Sequence, residues 1–169
     1  MIEDEMNPAA AITKMFCVEA ILDNIRSAWN VGSMFRTADG VGLHHLYLCG
    51  ITPTPENPRV VKTALGAETV VPWSYHPDGV HLAKCLHNEG VNLWALEDGP
   101  DASQLTIGGA LKIEKRIVLV VGNEISGVDP GIRELCEKIL HIPMRGIKRS
   151  LNAAVAFGVA AHYLVSASA

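Results

Sequence analysis

The sequence predicts an α/β domain with a mostly parallel sheet and helices on both faces. Six short apolar segments, which we interpret as strands, largely alternate with helix-length stretches, and this order is typical of parallel α/β sheets. Most of the strand segments are continuously apolar, as expected for strands that are covered on both faces. The chain has 169 residues, 49% of them hydrophobic and 19% charged, and no internal repeat or linker divides it. We therefore predict one domain over residues 1–169, with residues 1–12 as a flexible N-terminus.

The elements follow from the periodicity of apolar residues along the chain. Strands are predicted at residues 16–22, 45–49, 69–73, 91–95, 117–121 and 138–141, and the proline-rich stretch 52–58 is predicted to be a loop. Helices are predicted near residues 31–41, 58–65, 78–88, 129–137 and 150–166. In the first helix the apolar residues form one stripe, made of Val31, Met34, Phe35, Ala38 and Val41. This stripe places Arg36 on the opposite, polar side, either as a solvated surface arginine or as a functional group.

The last helix is apolar around almost its whole circumference from Leu151 to Val165, and Ser150 is a natural N-cap for it. One sheet covers only one face of a helix, so the other face needs a second subunit or a wrap of chain. We therefore expect a homodimer. A membrane span is the competing explanation, but the run of about fifteen apolar positions is shorter than the ~20 that a bilayer requires.

Charge and cysteine content narrow the class of protein further. A net charge of -4 argues against binding nucleic acid by bulk electrostatics alone, although several cations lie in or beside glycine- and asparagine-containing loops and favour a local basic cleft. Residues 1–7 are acidic and do not form a secretory leader, so a cytoplasmic location is expected. The cysteines form no C-x-x-C pair, and we expect all four to be reduced, buried, structural thiols and no metal site: Cys17, Cys49, Cys85 and Cys136.

Three polar loops are the candidate functional segments. The first follows the first strand and contains Asn24, Arg26, Asn30 and Gly32; the second is 121–129, with Glu124 directly after Gly122 and Asn123; the third is 142–152. In an open α/β sheet such loops meet at the carboxyl ends of the strands, where ligands bind. The alternatives are that Ser150 and Asn152 only cap a helix, that the basic residues of the third loop are a solvated turn, and that Glu124 is merely exposed.

Common nucleotide and hydrolase motifs are absent. The sequence contains no G-x-G-x-x-G after the first strand, no G-x-x-x-x-G-K-[ST] and no G-x-S-x-G, and its histidines lack the H-E-x-x-H spacing. Rossmann, P-loop, α/β-hydrolase and zinc-protease interpretations are therefore disfavoured.

Taken in order, the segments 30–38, 121–124 and 142–152, together with Lys62-Thr63-Ala64-Leu65-Gly66-Ala67, resemble the SpoU (TrmH) RNA ribose 2′-O-methyltransferases. The resemblance implies a SPOUT α/β knot fold, with a trefoil knot in the C-terminal part, and a homodimer. It implies that S-adenosylmethionine is held by Leu96, Gly122, Ile142, Met144 and Leu151. It also implies that Arg36 is the main catalytic residue, acting on a ribose 2′-hydroxyl, and that Asn30, Glu124, Ser150 and Asn152 arrange Arg36 and the substrate.

The chain departs from the family pattern at Ala153 and Ala154, where valine and serine are usual, and it shows no separate RNA-binding domain. Substrate choice then depends on the core or on an accessory protein. Candidate RNA contacts are Arg26, Arg145, Lys148 and Arg149. The function predicted is methyl transfer to tRNA or rRNA; the alternative is a non-catalytic protein that binds S-adenosylmethionine or RNA.

Overall fold

Parallel strands form a single sheet in this computed structural model, which describes residues 17–105 and 115–167. The strands are β1 (Val18–Asp23), β2 (Leu46–Cys49), β3 (Trp73–His76), β4 (Asn92–Leu96), β5 (Ser103–Gln104), β6 (Ile117–Val121) and β7 (Lys138–His141). Their order across the sheet is β3-β2-β1-β6-β4-β7-β5, and each neighbouring pair is parallel. The predicted fold class is confirmed.

Helices cover both faces of this sheet. They are α1 (Ala28–Val41), α2 (Pro58–Ala64), α3 (Gly79–Asn88), α4 (Pro130–Arg133) and α5 (Ala153–Ala167). The side chains of β6 alternate between two apolar clusters: Leu119 packs on the side of α1 and α5, whereas Val118 and Val120 pack on the side of α3 and α4. All five residues of β6 are buried, because apolar groups cover both faces of the strand.

Helix α1 confirms the predicted stripe. Its residues Val31, Met34, Phe35 and Ala38 are fully buried, and Arg36 is exposed on the other side. The helix begins three residues earlier than predicted, because the Ser27 side chain caps it by accepting a hydrogen bond from the backbone N–H of Asn30.

One predicted strand was misplaced, one predicted helix was too long, and one strand was not predicted. The third strand was predicted at 69–73 but is Trp73–His76, since Ala67–Thr69 forms a 3₁₀ turn instead. The helix predicted at 129–137 is only Pro130–Arg133, because the backbone N–H of Glu137 already bonds to the carbonyl of Leu93 in β4. The short strand β5 was not predicted. The residues 1–12 and Phe16 lie outside the described residues.

The cysteine prediction was also partly wrong. Cys49 is buried, but Cys17 and Cys136 are half-buried and Cys85 is exposed on the outer side of α3. All four are free thiols. Within the described ranges, no helix is both long enough and apolar enough to cross a membrane. The trefoil knot that the family resemblance implies stays a prediction.

Candidate active site

The polar loops meet at the carboxyl edge of the sheet. The chain leaves β1 toward β2 on one side, while β6 pairs with β1 on the other side. The loops after β1 and β6 therefore diverge at a switch point in strand order, which is where parallel α/β sheets form their binding crevice. Strand β7 lies two strands from β6 in the sheet, and its carboxyl end brings the third loop to the same edge.

Glu124 joins the first two loops. Its carboxylate accepts hydrogen bonds from the backbone N–H groups of Arg26 (2.9 Å) and Ser27 (3.2 Å) and from the Asn30 side-chain amide (3.1 Å). These partners lie 94 to 98 residues away in sequence. Glu124 therefore fixes the entry to α1 rather than pairing with an arginine side chain.

These bonds set the charge state of Glu124. Burial alone raises the pKa of this carboxyl group, but the hydrogen bonds from Arg26, Ser27 and Asn30 favour the ionised form and outweigh burial. The net effect is a pKa below the ordinary value. At neutral pH the site therefore holds a fixed negative charge beside the first turn of α1.

Asn152 connects the third loop to the same cluster. Its Nδ2 donates a hydrogen bond to Oδ1 of Asn30 at 3.2 Å, and its Oδ1 accepts hydrogen bonds from the backbone N–H groups of Ala154 and Val155. Asn152 is thus the N-cap of α5. The prediction that Ser150 caps this helix was wrong, since the helix begins at Ala153 and Ser150 lies outside it.

A cavity of about 340 Å³ opens beside this cluster, and we name it the site cavity. The ends of β4, β6 and β7 form its floor, and the third loop and the start of α5 form its wall. All five residues predicted to hold the cofactor line it: Leu96, Gly122, Ile142, Met144 and Leu151. Glu124, Ser150 and Asn152 also line it, so the hydrogen-bonded cluster stands at the cavity wall.

Gly122 lets the second loop close tightly behind this cavity. A Cβ at this position would overlap the backbone of Gly127 and Val128. The loop is held further by Asn123, whose Nδ2 donates to the carbonyl of Asn24 at 2.8 Å and whose Oδ1 accepts from Ile125 and Ser126. The second loop is therefore a rigid backbone surface.

Glu97 is a cavity residue that sequence reasoning missed. It follows β4 directly, and one of its carboxylate oxygens, Oε2, is buried without a hydrogen bond, although the Arg133 guanidinium lies 3.5 Å away. Burial raises the pKa of Glu97, and the nearby Arg133 opposes that rise only in part. Its position at the end of a buried strand was the available signal.

The other predicted residues are placed less centrally. Arg36 is exposed on α1 and lines neither the site cavity nor the depression between α1 and α5. Among the described residues its side chain has no hydrogen-bond partner. Arg149 lines the site cavity, whereas Arg26, Arg145 and Lys148 are exposed around it. Because Glu97 and Asp98 line the cavity together with Arg149, its wall carries charges of both signs.

A second, larger depression runs along α1 and α5, and we name it the helical groove. Its volume is about 1040 Å³, and Asn30 and Asn152 lie at the end that adjoins the site cavity. Val155 and Val159 of α5 line it and are 52% and 41% exposed. Within the described residues, no group of three or more histidine, cysteine, aspartate or glutamate side chains is arranged to hold a metal ion.

Known proteins resemble this chain in sequence. The 23S rRNA (guanosine-2′-O-)-methyltransferase RlmB of Escherichia coli strain K12 is 30% identical over 139 residues, which are 82% of this chain and 56% of that protein. This chain thus spans about half the length of the curated relatives it matches.

Solved structures share the fold. An AdoMet-bound rRNA methyltransferase from Sinorhizobium meliloti superposes with a TM-score of 0.81 at 24% identity, over 89% of this chain and 56% of that one. A structure concerning the 2-OH methylation of C/U34 on tRNA superposes with a TM-score of 0.75 at 25% identity, over 89% of this chain and 95% of that one. The family model for the SpoU rRNA methylases matches residues 18–162, from the start of β1 into α5. The chain belongs to the SpoU rRNA methylase family.

Proposed function

We propose that this protein is an S-adenosylmethionine-dependent methyltransferase that acts on a ribose 2′-hydroxyl of RNA. The observation that carries the proposal is the junction of the site cavity with the hydrogen-bonded cluster of Asn30, Glu124 and Asn152. A cavity for one small molecule thereby opens beside polar groups that three separate loops hold in place.

The site cavity suits S-adenosylmethionine in size and chemistry. Its volume lies near the lower end of the range for small-molecule sites, and its lining combines apolar side chains with loop backbone. Leu96, Ile142, Met144 and Leu151 would enclose the apolar parts of the ligand, and Gly122 would let it approach the backbone. The Glu97 carboxylate lines the cavity and suits a ligand hydroxyl that donates a hydrogen bond. When bound, the cofactor supplies an electrophilic methyl group on a sulfonium.

The chain's own residues then position the ribose. Asn30 is held by both Glu124 and Asn152, and Ser150 lines the same wall, so this set orients the hydroxyl for in-line attack, which alone contributes several kcal/mol. Arg36 supplies an exposed cation. It either accepts the hydroxyl proton or holds an adjacent phosphate; since guanidinium groups stay protonated in proteins, phosphate anchoring is the simpler role.

The proposed substrate is tRNA. The structure concerned with tRNA methylation is matched over 95% of its length, whereas the rRNA enzyme RlmB is matched over 56%. Ribosomal RNA is the second candidate, because the curated relative RlmB is named a 23S rRNA methyltransferase. The cations that would contact RNA phosphates are exposed or line the cavity: Arg26, Arg145, Lys148 and Arg149.

The proposed assembly is a homodimer through the helical groove. Exposed Val155 and Val159 give α5 an apolar outer face beside the polar cluster, so a second copy would cover apolar surface and complete the site. An accessory protein that selects the RNA is a further proposal. Sedimentation as a monomer would contradict the dimer.

The first experiment is transfer of labelled methyl from S-adenosylmethionine to total tRNA and, separately, to total rRNA, followed by nucleoside analysis. We expect a 2′-O-methyl nucleoside that disappears with Arg36→Ala. The matched control is Lys84→Ala, which removes an exposed cation from α3 on the other face of the sheet and should retain activity. Cofactor binding without transfer to either RNA would favour the non-catalytic alternative.

A further inference from the structure

Trp29 is an exposed aromatic side chain directly beside the polar cluster. It precedes Asn30 in α1 and is 45% exposed, whereas Trp94 is 4% exposed and Trp73 is half-buried. Single exposed apolar residues are common on protein surfaces and need no function. The surroundings of Trp29, however, are unusual in three respects.

The first is a cation at the ring. The Lys62 ammonium lies 5.6 Å from the centroid of the Trp29 indole, within cation–π range. Lys62 belongs to α2, so the pair is formed between two helices rather than within one.

The second is that the two helices are fixed to each other at this point. The Thr63 hydroxyl lies 3.3 Å from the Trp29 carbonyl and shares its single proton between that group and the carbonyls of Arg59 (3.1 Å) and Val60 (3.3 Å) in α2. Gly32 lies so close to α2 that a Cβ there would overlap the Thr63 hydroxyl and the Val60 carbonyl. The Trp29 ring and the Lys62 ammonium are therefore carried by two helices whose relative position is fixed.

The third is the sign of the surrounding charge. Residues 26–37 and 58–67 contain Arg26, Arg36, Arg59 and Lys62 and no aspartate or glutamate, although the whole chain has a net charge of -4. Carboxylates adjoin these segments at Glu56, Glu68 and Glu124, and that of Glu124 is engaged by hydrogen bonds from the loop after β1 and from Asn30. Arg59 lies three residues before Lys62 on the same side of α2. Arg36 lies seven residues after Trp29, which is close to two helical turns and about 10 Å along the same side of α1.

We propose that Trp29 and Lys62 form a platform on which a base of the substrate RNA stacks, next to the ribose that is methylated. This inference rests on the proposed function and adds the contact that holds the flanking nucleotide. An indole offers a flat surface to any base, and cations beside it hold the phosphates of the same strand. Because Asn30 is the next residue, a stacked base lies close to the polar cluster.

The test compares Trp29→Leu, which removes the ring, with Trp29→Phe, which keeps one. The matched control is Tyr75→Leu, since Tyr75 is a similarly exposed aromatic residue, at 48%, on the edge strand β3. With total tRNA as substrate, Trp29→Leu should raise the KM for RNA by about five- to a hundredfold, the range expected for loss of one stacked base. Trp29→Phe should stay within about threefold, and Tyr75→Leu should leave the KM unchanged.

A second readout does not depend on catalysis. Total tRNA should quench the tryptophan fluorescence of the wild-type protein, and the quenching should be largely lost in Trp29→Phe. If RNA quenches this signal but no methyl is transferred, the platform stands and the proposed function fails. If Trp29→Leu changes the KM no more than Tyr75→Leu does, the platform is refuted. It is also refuted if Trp29→Leu weakens S-adenosylmethionine binding or dissociates the dimer, because Trp29 is then a packing or subunit-contact residue.

Discussion

Glu124 offers the sharpest test of how the site is assembled. Its carboxylate holds two backbone N–H groups of the loop after β1 and the side chain of Asn30. Glu124→Ala leaves all three donors without this acceptor. The substitution should loosen the entry to α1 and, through Asn30, the orientation of the substrate.

The size of the effect follows from the bonds. Hydrogen bonds to a charged group contribute about 1.5–3 kcal/mol each when water is excluded. The three hydrogen bonds are exposed, so in the mutant water can accept from the freed N–H groups and recover much of the lost free energy. We therefore expect Glu124→Ala to lower the free energy of unfolding by about 2 kcal/mol in total, and Glu124→Gln by roughly half of that.

The assay is urea unfolding at pH 7, with Glu56→Ala as the control for loss of one exposed carboxylate. Because the folded-state pKa of Glu124 lies below its ordinary value of 4.5, its stabilisation is complete above that pH and is lost as the pH falls through the lower, folded-state pKa. The stability difference between wild type and Glu124→Gln should therefore be constant from pH 7 to about pH 5 and shrink below pH 4.5. A Glu124→Ala protein within about 0.5 kcal/mol of wild type at pH 7, or a difference that grows in acid, would refute this account.

Three further predictions test the cavity, the core and the thiols. Gly122→Ala should weaken S-adenosylmethionine binding at least tenfold by calorimetry, because the added Cβ overlaps the backbone behind the cavity; unchanged affinity would mean that the second loop is not part of the site. Phe157→Ala should cost about 3–5 kcal/mol in urea unfolding, since this ring is fully buried between α5 and the sheet, and a loss under 1 kcal/mol would contradict that packing. Cys85 should react with a maleimide in the folded protein while Cys49 does not, because Cys49 is buried and burial raises its pKa to about 12; labelling of both at one rate would indicate a much looser fold.

The strands that the sequence predicted best are those covered on both faces. Residues 117–121 match β6 at both ends, because an uninterrupted apolar run leaves little choice of boundary. Residues 138–141 also match β7, in which the buried pair Ile139 and Leu140 lies between two polar residues. The edge strand β3 was misplaced for the opposite reason. Its sequence, WSYH, is half-exposed and mostly polar, while the neighbouring Val70 and Val71 have higher β-propensity. Pairing of Leu46 with Trp73 in β2 and β3, which no local pattern encodes, fixes the strand.

The start of α5 shows a similar limit at the site. Ser150 and Asn152 are both good N-caps, so propensity alone does not choose between them. In the folded protein Asn152 caps the helix with its carbonyl oxygen and reaches Asn30 with its amide nitrogen, which uses both ends of the side chain. Serine has only a single oxygen and a shorter side chain. The boundary of the helix is therefore decided by a contact 122 residues away.

The same contact shows the limit of motif reasoning: the sequence indicated which residues come together at the site but not which atoms pair with one another. The resemblance placed Asn30, Glu124 and Asn152 together by motif and implied that they arrange Arg36 and the substrate. In the structure the Glu124 carboxylate binds the backbone ahead of α1, and Arg36 lies nine residues beyond Ser27, about two and a half helical turns, on an exposed side. A hydrogen-bonded polar cluster and a separate, exposed cation suit the proposed reaction on RNA, since the cluster would fix the ribose while the arginine holds the phosphate. On this argument Glu124 acts through the position of α1, and its loss should change the RNA KM and kcat while leaving cofactor affinity intact.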